Sequence, residues 1–192
     1  EGVLQVLRKG FDAPGGRFRV CYFRPENNLN AEHEKLYRAN KVEVYRQWFY
    51  SETCHKSVDM VLVLNGIPIF ALELKNQQTG QNVDDAKKQW REDRDPKELC
   101  FGFNFRILGY FCIDLLEAYM ATRLAGKSTY FLPFNQGSAG AGKNGGKGNP
   151  KAADGDFATS YIWKEVFQRD SLMDILHRFM NLESKEEVVK DK

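Results

Sequence analysis

Residues 58–75, VDMVLVLNGIPIFALELK, constrain the fold more than any other stretch of the chain. Two apolar runs flank Asn65-Gly66, a strong short-range hairpin signal. The first run opens with Asp59 and the second closes on Glu73 and Lys75. Acids and lysines are rarely buried unless paired, so three of them on core-like strands need a reason. Side chains on a strand alternate faces, which puts Glu73 and Lys75 on one side. A strict two-residue loop would pair Leu64 with Ile67 and set Asp59 opposite Leu72, facing away from Glu73. For the two acids to meet, the spacing predicts a longer loop or a β-bulge.

Two carboxylates that meet repel one another and desolvate poorly unless a cation lies between them. Hard oxygen ligands with open positions suit Mg²⁺, and an adjacent lysine places a compact positive charge beside a metal-bound water and a phosphate. Asp59, Glu73 and Lys75 thus form a candidate phosphodiesterase centre. The plain alternative is a salt-bridged strand end from which Glu73 and Lys75 reach solvent. Glu-x-Lys is a cheap pattern: it recurs at Glu183-Ser184-Lys185, in a polar tail.

The rest of the chain reads as an α/β (α+β) fold with a mixed sheet and flanking helices. Residues 17–24 alternate like a half-exposed strand. A helix capped by Asn30 follows, with Leu36, Ala39 and Val42 on one face, and then a strand at 42–50. After the hairpin, an Asn82-capped helix carries the stripe Val83, Ala86 and Trp90. Residues 105–114 read as another buried strand, and residues 118–134 as two more short strands around Gly126. Residues 135–156 form a Gly/Lys/Asn-rich loop. Helices follow at 157–182, the last capped by Asp170 or Ser171, with Leu172, Ile175, Leu176 and Phe179 as its apolar face. The expected unit is a single domain over 1–182, with a core at about 30–114 and a polar tail at 183–192.

Composition narrows the function little. A net charge of +2 leaves no global basic field, so any polyanion site must be local. Cys21, Cys54, Cys100 and Cys112 lie far apart without a Cys-x-x-Cys pair, which fits a reduced, cytoplasmic protein and makes a thiol or zinc centre at Cys54-His55 a thin proposition. No apolar run approaches a membrane span and no signal peptide is visible. The start at Glu1 suggests a fragment or a processed product. Lys87, Lys88, Arg91 and Arg94 interleave with Asp84, Asp85, Glu92 and Asp93, as on a solvated helix face. Two P-loop look-alikes fail. GSAGAGKN (137–144) has Asn144 where a Ser or Thr would bind Mg²⁺, and AGKST (125–129) has Ala121 in place of the first glycine. Lys143, Lys147 and Lys151 read first as solvated charge.

Asp59, thirteen intervening residues, then Glu73-Leu74-Lys75 resembles the D…ExK signature of the PD-(D/E)xK nucleases. The whole hairpin resembles that of the nuclease domain of type I restriction enzyme R subunits. The likeness continues through QWREDRDP (89–96), TRLAGKSTYFLPFNQG (122–137), GKGNP (146–150) and ATSYIW (158–163). The resemblance implies a restriction-endonuclease-like core and a bacterial, Mg²⁺-dependent enzyme that cuts duplex DNA. Such an enzyme works with modification and specificity subunits after ATP-driven translocation, with ATP bound by motor domains that this chain lacks. By position, Asp59 and Glu73 would be metal ligands, with the Leu74 carbonyl as a further one, and Lys75 the catalytic lysine. Gln89 matches the glutamine of the family's Gln-x-x-x-Tyr element, although Asp93 stands at the tyrosine position. The alternative is a catalytically silent nuclease-like module that binds DNA or docks partner subunits.

Overall fold

A computed structural model describes residues 2–27, 29–51 and 55–183. Cys54 and the tail from 184 onward lie outside the described residues. The elements are α1 (Val3–Lys9), β1 (Phe11–Ala13), β2 (Gly16–Phe18), α2 (Ala31–Arg38), β3 (Val42–Phe49), β4 (Ser57–Leu64), β5 (Ile67–Leu74), α3 (Val83–Glu92), β6 (Gly109–Ile113), β7 (Ala118–Ala121), β8 (Leu132–Pro133) and α4 (Arg169–Asp174). β3 to β8 form one six-stranded sheet in chain order, antiparallel except for the β5–β6 pair. The parallel step needs a crossover, and α3 supplies it.

Each face of the sheet carries its own apolar layer. Leu62, Leu64, Ile69, Phe70 and Leu72 pack with α1, Tyr37 and the C-terminal helices. Val61, Val63 and Ala71 pack with Val83, Ala86 and Trp90 of α3. The α3 stripe therefore buries as its periodicity requires, and Trp90 donates its indole N–H to the Phe111 carbonyl at 3.1 Å.

The hairpin has both a two-residue turn and a bulge. Leu64 pairs with Ile67, and Asn65 and Gly66 take φ of 49° and 84°, the type I′ requirement. One step further the register shifts, from Val63↔Pro68 to Leu62↔Phe70, leaving Ile69 extra. Pro68 has no N–H for an interior ladder, so a bulge beside it is the tolerated arrangement. Ile69 and Phe70 consequently lie in the same apolar layer, where strict alternation would separate them. Beyond the bulge Met60 pairs with Leu72, so the next position sets Asp59 opposite Glu73.

Several expectations need correction. Within the 17–24 stretch only Arg17 and Phe18, the end of β2, are strand; Cys21 and Phe23 are instead buried in irregular chain. α2 buries Tyr37 rather than a Leu36–Ala39–Val42 face, because the helix stops at Arg38 and Val42 already belongs to β3. The last helix begins at Arg169 after Gln168, and neither Asp170 nor Ser171 caps it. The Asp170 carboxylate accepts the Tyr37 hydroxyl at 2.7 Å. Wide π-type turns lie at Ile162–Val166 and Ile175–Phe179. Leu172, Met173 and Leu176 are buried with Ile175 packed against them, as an α-helical face requires, while Phe179, at the end of the second wide turn, is 72% exposed. Residues 135–156 carry no helix or strand and are pinned by Asn149, whose side chain holds the Leu116 carbonyl, the Asn135 side chain and the Gln136 amide. Both P-loop look-alikes lie in turns. No described helix is long and apolar enough to cross a membrane.

Candidate active site

Asp59 lies near the start of β4 and Glu73 near the end of β5, both on the face covered by α3. The bulge makes this possible, since it brings a fourteen-position separation into phase. Asp59 is half-buried. Its Oδ2 accepts the Leu74 amide at 2.8 Å and its Oδ1 faces the Gln47 amide at 3.4 Å. Gln47 itself has φ of 49°, and the β3–β4 ladder skips it between Arg46↔Met60 and Trp48↔Val58. A non-glycine residue in that conformation costs about 1–2 kcal/mol, and the surrounding sheet must hold it there. Ser57 Oγ donates to Gln47 Oε1 at 3.1 Å, which orients the amide toward Asp59.

Glu73 has no exposed surface. Its Oε1 accepts from Arg94 Nη2 at 2.6 Å and Nε at 3.0 Å, whereas its Oε2 is buried without a hydrogen-bond partner. Burial pushes the Glu73 carboxyl up, to about 8; Arg94 opposes this and neighbouring Asp59 adds to it. Lys75, two positions on and on the same face, is half-buried. Its backbone N–H continues the parallel ladder to the Ile113 carbonyl at 2.9 Å, and its ammonium donates to Gln89 Oε1 at 2.7 Å. Gln89 lies on α3 one residue before the buried Trp90.

Asp59, Glu73 and Lys75 therefore lie at one end of the sheet under α3, from which Gln89 reaches Lys75. Asp93 caps the C-terminus of α3, and its carbonyl accepts from Lys56 Nζ at 3.1 Å. The solvated reading of the α3 charges fails for Arg94, which is 5% exposed. It follows the helix end, so helical spacing does not describe where it points. Its Nη2 also reaches the Ser57 carbonyl at 2.7 Å, and its guanidinium lies 5.5 Å from the Tyr50 ring centroid. Arg91 binds the Thr129 carbonyl, and Lys87 sits over the Tyr119 ring, so these two are anchored as well. Sequence patterning overlooked Gln47 and Arg94. Pro68 within an interior strand was the one local sign of the bulge.

The arrangement has the donors a hard cation uses. An unpartnered buried carboxylate oxygen lies beside a second carboxylate, and among the described residues no three His, Cys, Asp or Glu side chains converge. Such a pair suits Mg²⁺, which retains several waters and binds through one or two carboxylates plus phosphate. Cys21 and Cys100 are buried with thiols pushed up to about 12, and burial also raises Cys112. None of the three has the character of a reactive thiolate.

The family model for the N terminus of type I restriction enzyme R proteins matches residues 18–129, more than half of the chain. No curated protein matches it.

Proposed function

Since the chain belongs to the family of type I restriction enzyme R protein N termini, we propose that it is a Mg²⁺-dependent endonuclease domain that hydrolyses DNA phosphodiester bonds. In a complete R subunit its cutting would be coupled to ATP-driven translocation by motor domains and directed by modification and specificity subunits. The observation that carries this reading is the meeting of Asp59, Glu73 and the Gln89-bound Lys75 on one face, with Glu73 Oε2 left unpaired.

Asp59 and Glu73 would hold the cation, with the Leu74 carbonyl as a further candidate. When bound, the cation polarises a phosphoryl oxygen and lowers the pKa of a coordinated water. Lys75 contributes a positive charge beside the acids, placed to orient the attacking water or to stabilise charge developing on the phosphate. Gln89 restricts the Lys75 ammonium by accepting a hydrogen bond from one of its three N–H groups. Neither acid needs a sequence-reading role, which fits a domain whose target is chosen elsewhere.

The test is DNA cleavage by the assembled complex with Mg²⁺ and ATP, comparing wild type with Lys75→Ala. Loss of cutting with ATP hydrolysis retained is expected. Equal cutting by both would leave the silent-module alternative standing.

A further inference from the structure

We infer that Arg94 is the positioning residue of the acid pair: it occupies Glu73 Oε1 with two nitrogens and leaves Oε2 as the one oxygen Glu73 offers a cation. This rests on the nuclease reading and adds to it how the second acid presents itself to the cation.

A buried carboxylate next to another carboxylate has several ways to lower its energy. It can rotate, take up a proton, or present both oxygens to one ion. Arg94 restricts these choices because its planar guanidinium is itself fixed on three sides. Its Nε and Nη2 both donate to Glu73, Nη2 donates to the Ser57 carbonyl as well, and the Tyr50 ring lies against the guanidinium. Ser57 opens β4, two residues before Asp59. One guanidinium thus ties the backbone leading to the first acid to the side chain of the second, and fixes their relative placement. Lysine would bring the same charge with one compact donor group and no fork. If Arg94 served only to neutralise a buried charge, lysine would replace it with little loss. If it positions the carboxylate, lysine fails.

The experiment is a Mn²⁺ titration of the chain without DNA, followed by electron paramagnetic resonance, for wild type and Arg94→Lys. Single-turnover cleavage by the complex is measured in parallel. Arg94→Lys should bind Mn²⁺ about 10–100-fold more weakly, the range seen when a ligand's supporting partner is lost, and should lower the cleavage rate with the DNA concentration dependence unchanged. Mn²⁺ affinity and cleavage within twofold of wild type would overturn the inference, and the nuclease reading would survive if Lys75→Ala still abolished cutting. A second measurement needs no variant: anomalous diffraction from Mn²⁺-soaked wild-type crystals. It should place the ion on Oε2 with Arg94 still on Oε1. An ion bridging both oxygens, or a displaced Arg94, would overturn the inference alone. No ion at the acids would overturn it together with the reading beneath it.

Discussion

The Lys75 ammonium and Gln89 Oε1 are joined by a 2.7 Å hydrogen bond, which links the strand carrying the acids to the helix that covers them. A lysine on a flexible four-carbon stem is only useful at a reacting centre if something fixes its head. Gln89 does so as a neutral acceptor.

The two residues should therefore act as a unit. Lys75→Ala is expected to lower single-turnover cleavage by the complex about 10²–10⁴-fold, the range for losing a positioned charge or proton donor. Gln89→Ala should cost about 10-fold, since the ammonium remains but is less confined. The double variant should be no worse than Lys75→Ala alone. Strictly multiplicative losses would show that Gln89 acts on something other than Lys75.

Proton binding at Glu73 gives a prediction about pH. Its carboxyl is raised from an ordinary 4.5 to about 8, first by burial, with Arg94 pulling down and Asp59 pushing up. Between those values the folded chain holds a proton that the unfolded chain releases. The stability this contributes is complete below about 4.5 and is lost as pH rises through about 8. The metal-free protein should thus melt at progressively lower temperature across that window. On the proposed reading Mg²⁺ displaces this proton, so its affinity should rise up to about tenfold per pH unit below 8 and level off above it. Thermal melts with and without Mg²⁺ at several pH values test both slopes. Persistence of either slope in Glu73→Gln would assign it to another group.

Some of this was readable along the chain and some was not. The α3 stripe is a local repeat, and Val83, Ala86 and Trp90 bury as it requires. Counting positions shows that Asp59 and Glu73 can meet only through a longer loop or a bulge, because side-chain phase along a strand is a local property, and the extra Ile69 supplies that shift. Where Arg94 points is not local. Its neighbours look like a solvated helix face, and its burial appears only once β4, β5 and Tyr50 surround it. The left-handed Gln47 likewise has no sequence mark, since nothing about glutamine favours that conformation. On the last helix Leu172, Ile175 and Leu176 face the core as expected, and of the four only Phe179 departs, at the end of a π-type turn that regular α spacing does not describe.

Asn65 should be costly to replace. It combines φ of 49° with three hydrogen bonds: its Oδ1 accepts from the Lys41 amide, and its Nδ2 donates to the Val20 carbonyl and to Asn40 Oδ1. Asn65→Ala loses the bonds and strains the turn, for an expected loss of about 2–4 kcal/mol. Asn65→Gly keeps the turn conformation and should lose about half as much. Urea unfolding of both variants measures the difference. Equal losses would mean that the turn conformation carries no cost here.

The bulge makes the last prediction unusually specific. Deleting Ile69 removes the extra residue and nothing from the register: Val63 still pairs with Pro68, and Leu62 with Phe70 as the next pair, so Asp59 stays opposite Glu73. The deletion sacrifices a fully buried side chain and the bond from the Leu108 amide to the Ile69 carbonyl, at a cost of about 2–5 kcal/mol. Deleting Ala71, a smaller residue on the same strand, does the opposite. Leu72 would take its place, and Glu73 would turn into the apolar layer that now holds Leu72. The Ile69 deletion should therefore fold with a lowered melting temperature and still bind Mn²⁺, whereas the Ala71 deletion should not fold. Circular dichroism and a Mn²⁺ titration separate the outcomes. A folded Ile69 deletion that cannot bind the ion would show that the local twist of the bulge, rather than the register it sets, places the two acids.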